Sequence, residues 1–319
     1  MSNSFLGIDV AKLKLDVALL RDDKTRTRQF DNSTAGFQAL QAWLTSLHLD
    51  NLQVCLEATG SYAEAIAVFL HQAGYRVSVV NPLRIKGEAQ AQMKRNKTDR
   101  ADARLIADFC QKHNPPPWQP PSPAVAELQA ITRRLEVLEE MLQAEKNRLP
   151  VTPVKTQPSV QRMIANLEQE IEELNHSIDD HFDKHPELKE QSRLLQTIPG
   201  IGEKTAKFLL AEIDFSRYES ARAVAAYAGV TPRKNQSGTS VKGTNLSKLG
   251  NGRIRKGIYF PAIVAKNHNE LVKEFAKRLE ERGKSQMQIV CASMRKLLHI
   301  AFGVLKNKTP YNPNLAFGG

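Results

Sequence analysis

The chain reads as an α/β domain followed by a mainly helical remainder. Three observations predict this division. Short aliphatic runs alternate with helix-period segments over roughly the first third, a proline-rich break follows at 114–123, and beyond it apolar residues recur every three or four positions.

In order, FLGIDVAK (5–12), LKLDVALLRD (13–22) and TRQFDN (27–32) read as three strands of a meander, the second carrying basic residues. TAGFQALQAWLTSL (34–47) has helical periodicity, LQVCLEA (52–58) is a strand, SYAEAIAVFLHQAG (61–74) a helix and YRVSVVN (75–81) a strand. KTDRADARLIADF (97–109) supplies a late helix. Acids stand at telling places in this series: Asp9 closes the first strand, Glu57 the fourth, and Asp99 and Asp102 lie three apart on the late helix. Singly, each is more often a turn former or helix cap than a ligand. The order βββαβαβα with acids on strand one, strand four and a late helix resembles the ribonuclease H-like fold, in the version used by the RuvC Holliday-junction resolvase.

A carboxylate at a strand end is exposed where a sheet opens, and two at i and i+3 share one helix face, so the four can converge. Bringing like charges together is costly unless cations occupy the site, and oxygen-only ligation is what Mg²⁺ or Mn²⁺ prefers. The chemistry suggested is two-metal phosphoryl transfer on a nucleic-acid backbone.

Charge agrees with a polyanionic partner. Lys plus Arg number 45 against 34 Asp plus Glu, a net +11. Counted by segment, residues 1–120 carry 15 basic and 12 acidic groups, 121–190 carry 8 and 14, and 191–319 carry 22 and 8. The last segment is therefore the electrostatic footprint. Three separated cysteines, Cys55, Cys110 and Cys291, show no zinc spacing and suit a reduced cytoplasmic setting. The N-terminus has no signal-peptide pattern and no long apolar run occurs, so no membrane association is expected.

The break NPPPWQPPSP (114–123) reads as an extended spacer that ends a first domain near residue 120. Within 121–190, Val125, Leu128, Ile131, Leu135, Leu138, Leu142 and Leu149 mark one helix face, and Val160, Met163, Leu167, Ile171, Leu174, Ile178 and Phe182 a second. These are a/d seams of a coiled-coil arm. Two uses stand open, an intramolecular hairpin or an oligomerisation arm, and the acidic outer face argues against phosphate contact here.

A third domain, 191–319, opens with LLQTIPGIGEKTAKFLLAEI, which resembles a helix-hairpin-helix. Gly200 and Gly202 would let a phosphate approach the backbone, with Lys204 nearby, although a tight turn in a helical core would use the same glycines. No acid occurs between Glu219 and Glu270, while Arg233, Lys234, Lys242, Lys248, Arg253, Arg255 and Lys256 are among the nine basic residues there, a composition suited to a phosphate backbone. TPRKNQSGTSVKGTNLSKLGNG (231–252) reads as a long loop. Ser237 and Ser240 lie in it, and composition does not rank one above the other as a nucleophile.

GIDVAK, EATGSY, VVNP, KTDRADA, IPGIG, YAGVTPR, SGTSVKG and SKLGN together resemble the DEDD transposases of bacterial insertion sequences, the IS110 family of bridge-RNA-guided recombinases, over essentially the whole length. The resemblance implies Asp9, Glu57, Asp99 and Asp102 as metal ligands and Ser237 as a nucleophile that forms a covalent phosphoserine link to DNA. It further implies target and donor double-stranded DNA, an element-encoded guide RNA, a homo-oligomer, and action at the nucleoid. Two other functions would use the same residues differently. A junction resolvase-like nuclease would attack with water and leave Ser237 incidental, and a non-enzymatic nucleic-acid scaffold would make the acids ordinary.

Overall fold

A computed structural model describes residues 3–22, 24–49, 51–58, 60–92, 98–237 and 241–314. The chain divides into two compact units, 1–120 and 121–319.

In the first unit, β1 (Asn3–Val10), β2 (Lys14–Arg21) and β3 (Lys24–Asp31) form an antiparallel meander. Helix α1 (Thr34–Ser46) returns the chain to β4 (Asn51–Glu57), which runs parallel to β1, and α2 (Ser61–Gln72) leads to β5 (Arg76–Val80), parallel to β4. The strand order is β3-β2-β1-β4-β5, the ribonuclease H-like arrangement that the order of elements led us to expect. Two helices follow, α3 (Pro82–Ala91) and α4 (Asp99–His113); α3 had no counterpart in the sequence reading. Its Glu88 ties it to Lys112 and His113 at the end of α4.

Strand parity decides which residues meet which helices. Leu6, Ile8, Leu15, Val17, Leu19, Val54 and Leu56 point to the face covered by Phe37, Leu40 and Leu44 of α1 and Ile66 and Leu70 of α2. Ala18, Leu20 and Cys55 point to the opposite face, under Ala103, Leu105, Ile106, Ala107 and Cys110 of α4. Burial on both faces explains why β1, β2 and β4 read as aliphatic runs rather than as alternating strands.

The proline-rich segment is not a free spacer at its start. Pro115 O accepts from Gln53 Nε2 (2.9 Å) and Ser78 Oγ (3.0 Å), and Trp118 N donates to Val77 O (2.7 Å). Three polar groups buried at the β4–β5 edge are satisfied by this segment, which docks it to the first unit.

The second unit begins with α5 (Pro123–Arg148) and α6 (Gln157–Lys184), which pack along one another. The pairs Lys146–Glu168 (2.7 Å) and Glu127–His181 (3.6 Å) show an antiparallel register. The expected seam is buried at Leu128, Leu135, Leu138, Leu167, Ile178 and Phe182, whereas its Met163 in the distal half is half exposed, as is Met141, which lies outside that seam. Leu128, Leu135, Ile178 and Phe182 belong to the same apolar core as the rest of the unit.

Beyond lie α7 (Pro186–Gln196), α8 (Glu203–Glu212), α9 (Ala221–Tyr227), β6 (Pro232–Ser237), β7 (Val241–Leu246), α10 (Gly252–Gly257), α11 (Tyr259–His268), α12 (Glu270–Glu281) and α13 (Gln286–Asn307). Helix α13 is long and apolar enough to cross a membrane by length and composition alone, but Leu297, Leu298, Ile300, Ala301 and Val304 are spent on the core. The stretch read as a long loop is instead an antiparallel ribbon, with Pro232 opposite Leu246 and Ser237 opposite Val241. Main-chain pairing holds it, and Gly, Ser and Asn leave no hydrophobic alternation by which to recognise it.

Candidate active site

Asp9 is two residues beyond Gly7 and shares its face of β1, the face on which α4 lies. Antiparallel register sets Asp16 directly opposite Asp9, and parallel register pairs Ile8 with Leu56, so Glu57 ends β4 beside Asp9. Helix α4 starts at the same edge. Thr98 caps it by accepting from Ala101 N (3.2 Å), and Asp99 and Asp102 fill its first turn, where the helix dipole favours carboxylates. Gly7 permits the approach: a Cβ there would stand 2.2 Å from Ala103 O and 2.3 Å from Ala107 N.

The carboxylates feel one another. Burial pushes the Asp9 carboxyl up to about 6, and the charges of Asp102, Asp99, Glu57 and Asp16 push it in the same direction. The other three acids expected from the sequence therefore lie near enough to Asp9 to raise it, joined by a fifth that the sequence reading passed over. Asp16 is 4 % exposed, accepts from Gln29 Nε2 with both carboxylate oxygens (3.1 and 3.3 Å), and pairs with Lys14 (3.2 Å). The Lys14 ammonium also donates to Asp99 Oδ2 (2.5 Å).

In the second unit, Ser237 is the last residue of β6. Ser240 lies outside the described residues, and the side chains of 234–237 and 241–244, hence of Lys234, Ser237 and Lys242, do too. Arg233 and Lys248 are exposed. Other basic residues have partners within their own unit. Arg253 forms ion pairs with Glu136 (2.8 Å) and the buried Glu212 (3.3 Å), Lys256 bonds Glu140 (2.7 Å), and Lys204 pairs with Glu139. Arg255 donates to the carbonyls of Ala228 and Gly250, 3.1 Å each. Gly200, at φ +105°, meets Ala265 so closely that a Cβ would stand 2.6 Å from the Ala265 Cβ, which is a packing reason for glycine there. Gly202, at the start of α8, faces open space.

A transposase profile of the DEDD type matches residues 6–152, and the profile "Transposase IS116/IS110/IS902 family" matches residues 192–277. The chain is 34% identical over 320 residues to the pilin gene-inverting protein of Moraxella bovis, covering 99% of each chain. It belongs to the IS110 family of transposases. The transposase for insertion sequence element IS1328 of Yersinia enterocolitica is 24% identical over 300 residues, 81% of this chain and 86% of that protein. Among solved structures, T. thermophilus RuvC in complex with a Holliday junction substrate aligns with 36% of this chain and 99% of its own, at 17% identity and a TM-score of 0.28.

For an IS110-family transposase of the DEDD type, use of a divalent metal follows from the family. The donor chemistry suits one: Asp9, Glu57, Asp99 and Asp102 offer only oxygen, are half-buried or exposed, and the charges of the other three add to burial in raising Asp9, a repulsion that a cation would relieve. Among the described residues no three of them stand close enough to grip an ion as placed. Asp99 is instead engaged by Lys14. The signal that could have revealed Lys14 and Asp16 is the alternation K-L-D within LKLDVALL, which puts both on one face of an otherwise aliphatic strand.

Proposed function

We propose that this transposase cuts and rejoins DNA strands through a phosphoserine intermediate on Ser237, with Mg²⁺ or Mn²⁺ held by Asp9, Glu57, Asp99 and Asp102, and with an element-encoded RNA pairing to target and donor DNA. The observation that carries the reading is that β1, β4 and α4 bring Glu57, Asp99 and Asp102 near enough to Asp9 for their charges to raise it, at one end of the sheet face that α4 covers. Bound there, a divalent ion supplies charge neutralisation at a phosphodiester and acidifies an attacking hydroxyl.

Ser237 is the last residue of β6, where backbone pairing sets it opposite Val241 at the start of β7. Its Oγ forms a bond to phosphorus as one bridging phosphorus–oxygen bond to deoxyribose breaks. The hydroxyl proton passes to a base and the released sugar oxygen takes one up. One phosphodiester replaces another at nearly constant free energy, so the strands rejoin without ATP. Because base pairing reads the sequence, the protein needs mainly backbone contacts, for which the exposed Arg233, Lys248 and the Gly202 turn are candidates. The Moraxella bovis relative, named for inverting a pilin gene, extends the substrate class to DNA inversion as well as transposition.

The test is adduct formation with labelled DNA, guide RNA and Mg²⁺. Wild type gives a denaturant-resistant protein–DNA adduct that maps by peptide analysis to Ser237. Asp102→Asn loses cleavage while keeping nucleic-acid binding, and Ser237→Ala loses the adduct while keeping metal binding. An adduct on Ser240 overturns the choice of nucleophile. Metal-dependent cleavage with no adduct means water attacks, as in a resolvase-like nuclease.

A further inference from the structure

Lys14 opens β2 just past the β1–β2 turn, where its carbonyl accepts from Ala11 N (2.9 Å). Its side chain leaves on the same face as Asp16, the face that carries Asp9. From there it reaches 85 residues along the chain to Asp99 Oδ2 at 2.5 Å, while Asp16 Oδ2 stands 3.2 Å from the same ammonium. The two carboxylates differ in burial. Asp16 has a side chain 5% exposed and fixed by Gln29, whereas the Asp99 side chain is 55% exposed at the first turn of a helix.

An isolated surface ion pair would carry little meaning. This one lies inside a set of five carboxylates that would otherwise face one another. A lysine ammonium is ordinarily a cation at working pH, and bonds to Asp99 and Asp16 place that charge among the carboxylates.

We propose that Lys14 is the built-in counter-ion of the carboxylate cluster: it occupies Asp99 while the site lacks a divalent ion and withdraws to Asp16 when Asp99 is taken as a ligand. The proposal rests on the reading of Asp9, Glu57, Asp99 and Asp102 as metal ligands. Both acceptors already lie within reach of one ammonium, so the transfer needs only rotation about the lysine's flexible stem, with β2 and α4 in place. Two consequences follow. Lys14 competes with the metal and weakens its binding, and Asp16 softens that competition by offering the ammonium a second seat. Lys14 is thus a positioning residue that sets metal affinity, and Asp16 and Gln29 are its anchor.

The test is Mn²⁺ titration by calorimetry and electron paramagnetic resonance on the full chain, comparing wild type with Lys14→Met, Lys14→Gln, Asp16→Asn and the double variant Lys14→Met/Asp16→Asn. Both Lys14 variants are expected to bind Mn²⁺ about tenfold tighter, as fits removal of one partly screened unit charge. Asp16→Asn is expected to weaken binding, and by a smaller factor once Lys14 is Met. Melting supplies an independent readout: the Lys14 variants melt below wild type in EDTA and recover on saturation with Mn²⁺. Mn²⁺ binding by both Lys14 variants that is equal to or weaker than wild type overturns the proposal while leaving the metal reading intact. Absence of Mn²⁺ binding in wild type and in both Lys14 variants overturns the metal reading itself.

Discussion

Gly7→Ala is the most economical probe of how the fold builds the candidate site. In an extended strand, alanine normally costs nothing relative to glycine and reduces unfolded-state freedom. Here the added Cβ would stand 2.2 Å from Ala103 O and 2.3 Å from Ala107 N, both backbone atoms of α4 that cannot rotate away. Restoring ordinary contact requires α4 to retreat by about 1 Å, an overpacking strain of roughly 2–3 kcal/mol. For a unit of this size that corresponds to a melting temperature lower by roughly 8–15 °C. Asp99 and Asp102 ride on the same helix, so the retreat also draws them from Asp9, and a displacement of about 1 Å in reacting groups costs on the order of 100-fold in rate. The assay pairs thermal melting with Mg²⁺-dependent strand cleavage. Gly87→Ala is the control: it lies within α3 with open space around it, and it should be neutral or stabilising by roughly 0.5–1 kcal/mol. A Gly7→Ala protein with wild-type melting and wild-type cleavage would refute the claim that close packing of α4 on β1 assembles the acids.

Other expectations test the electrostatics and the arm. Asp9 in the folded chain lies near 6, above its ordinary 3.8, so its ionisation opposes folding; the stability it contributes is complete below about pH 4 and lost as pH rises through 6. Glu88, held near 2 chiefly by Lys112, acts in a lower window: its contribution is present above about 4.5 and is lost as pH falls from there through 2. In EDTA, stability of the first unit should therefore decline between pH 4 and 7 by about 2 kcal/mol, and Asp9→Asn should flatten that slope; equal slopes would disprove it. Arg253→Gln should destabilise the second unit by about 2–3 kcal/mol, because it strips the ion-pair partner from Glu212, which is 6 % exposed, whereas the exposed Lys256→Gln should leave unfolding nearly unchanged. Comparable losses in urea unfolding would contradict this ranking. Leu135→Asp should unfold the second unit, since Leu135 is 5 % exposed within its core, while Met141→Asp with Met163→Asp should leave melting unchanged and lower the mass seen by light scattering if the arm self-associates. Unchanged mass in the double variant removes the case for an oligomerisation arm.

What the sequence alone determined is whatever local periodicity and strand ends encode. Asp9 and Glu57 close aliphatic runs, Asp99 and Asp102 share one helical turn, and seven-residue seams mark α5 and α6, so the carboxylates and the two long helices could be placed without coordinates. Tertiary structure decided the partners. Lys14 and Asp99 are 85 residues apart and Lys256 and Glu140 are 116 apart, and no local pattern tells a lysine whether it faces phosphate, solvent or a distant carboxylate. The same limit hid the ribbon at 232–246, whose stabilising bonds belong to the main chain, and the docking of Pro115 and Trp118, whose value lies in satisfying Gln53, Ser78 and Val77 across the fold. A charge or a hydrogen-bonding group is written in the sequence, but the group that answers it is chosen only when the chain closes, because electrostatic and hydrogen-bond energies depend on distance in space rather than along the chain.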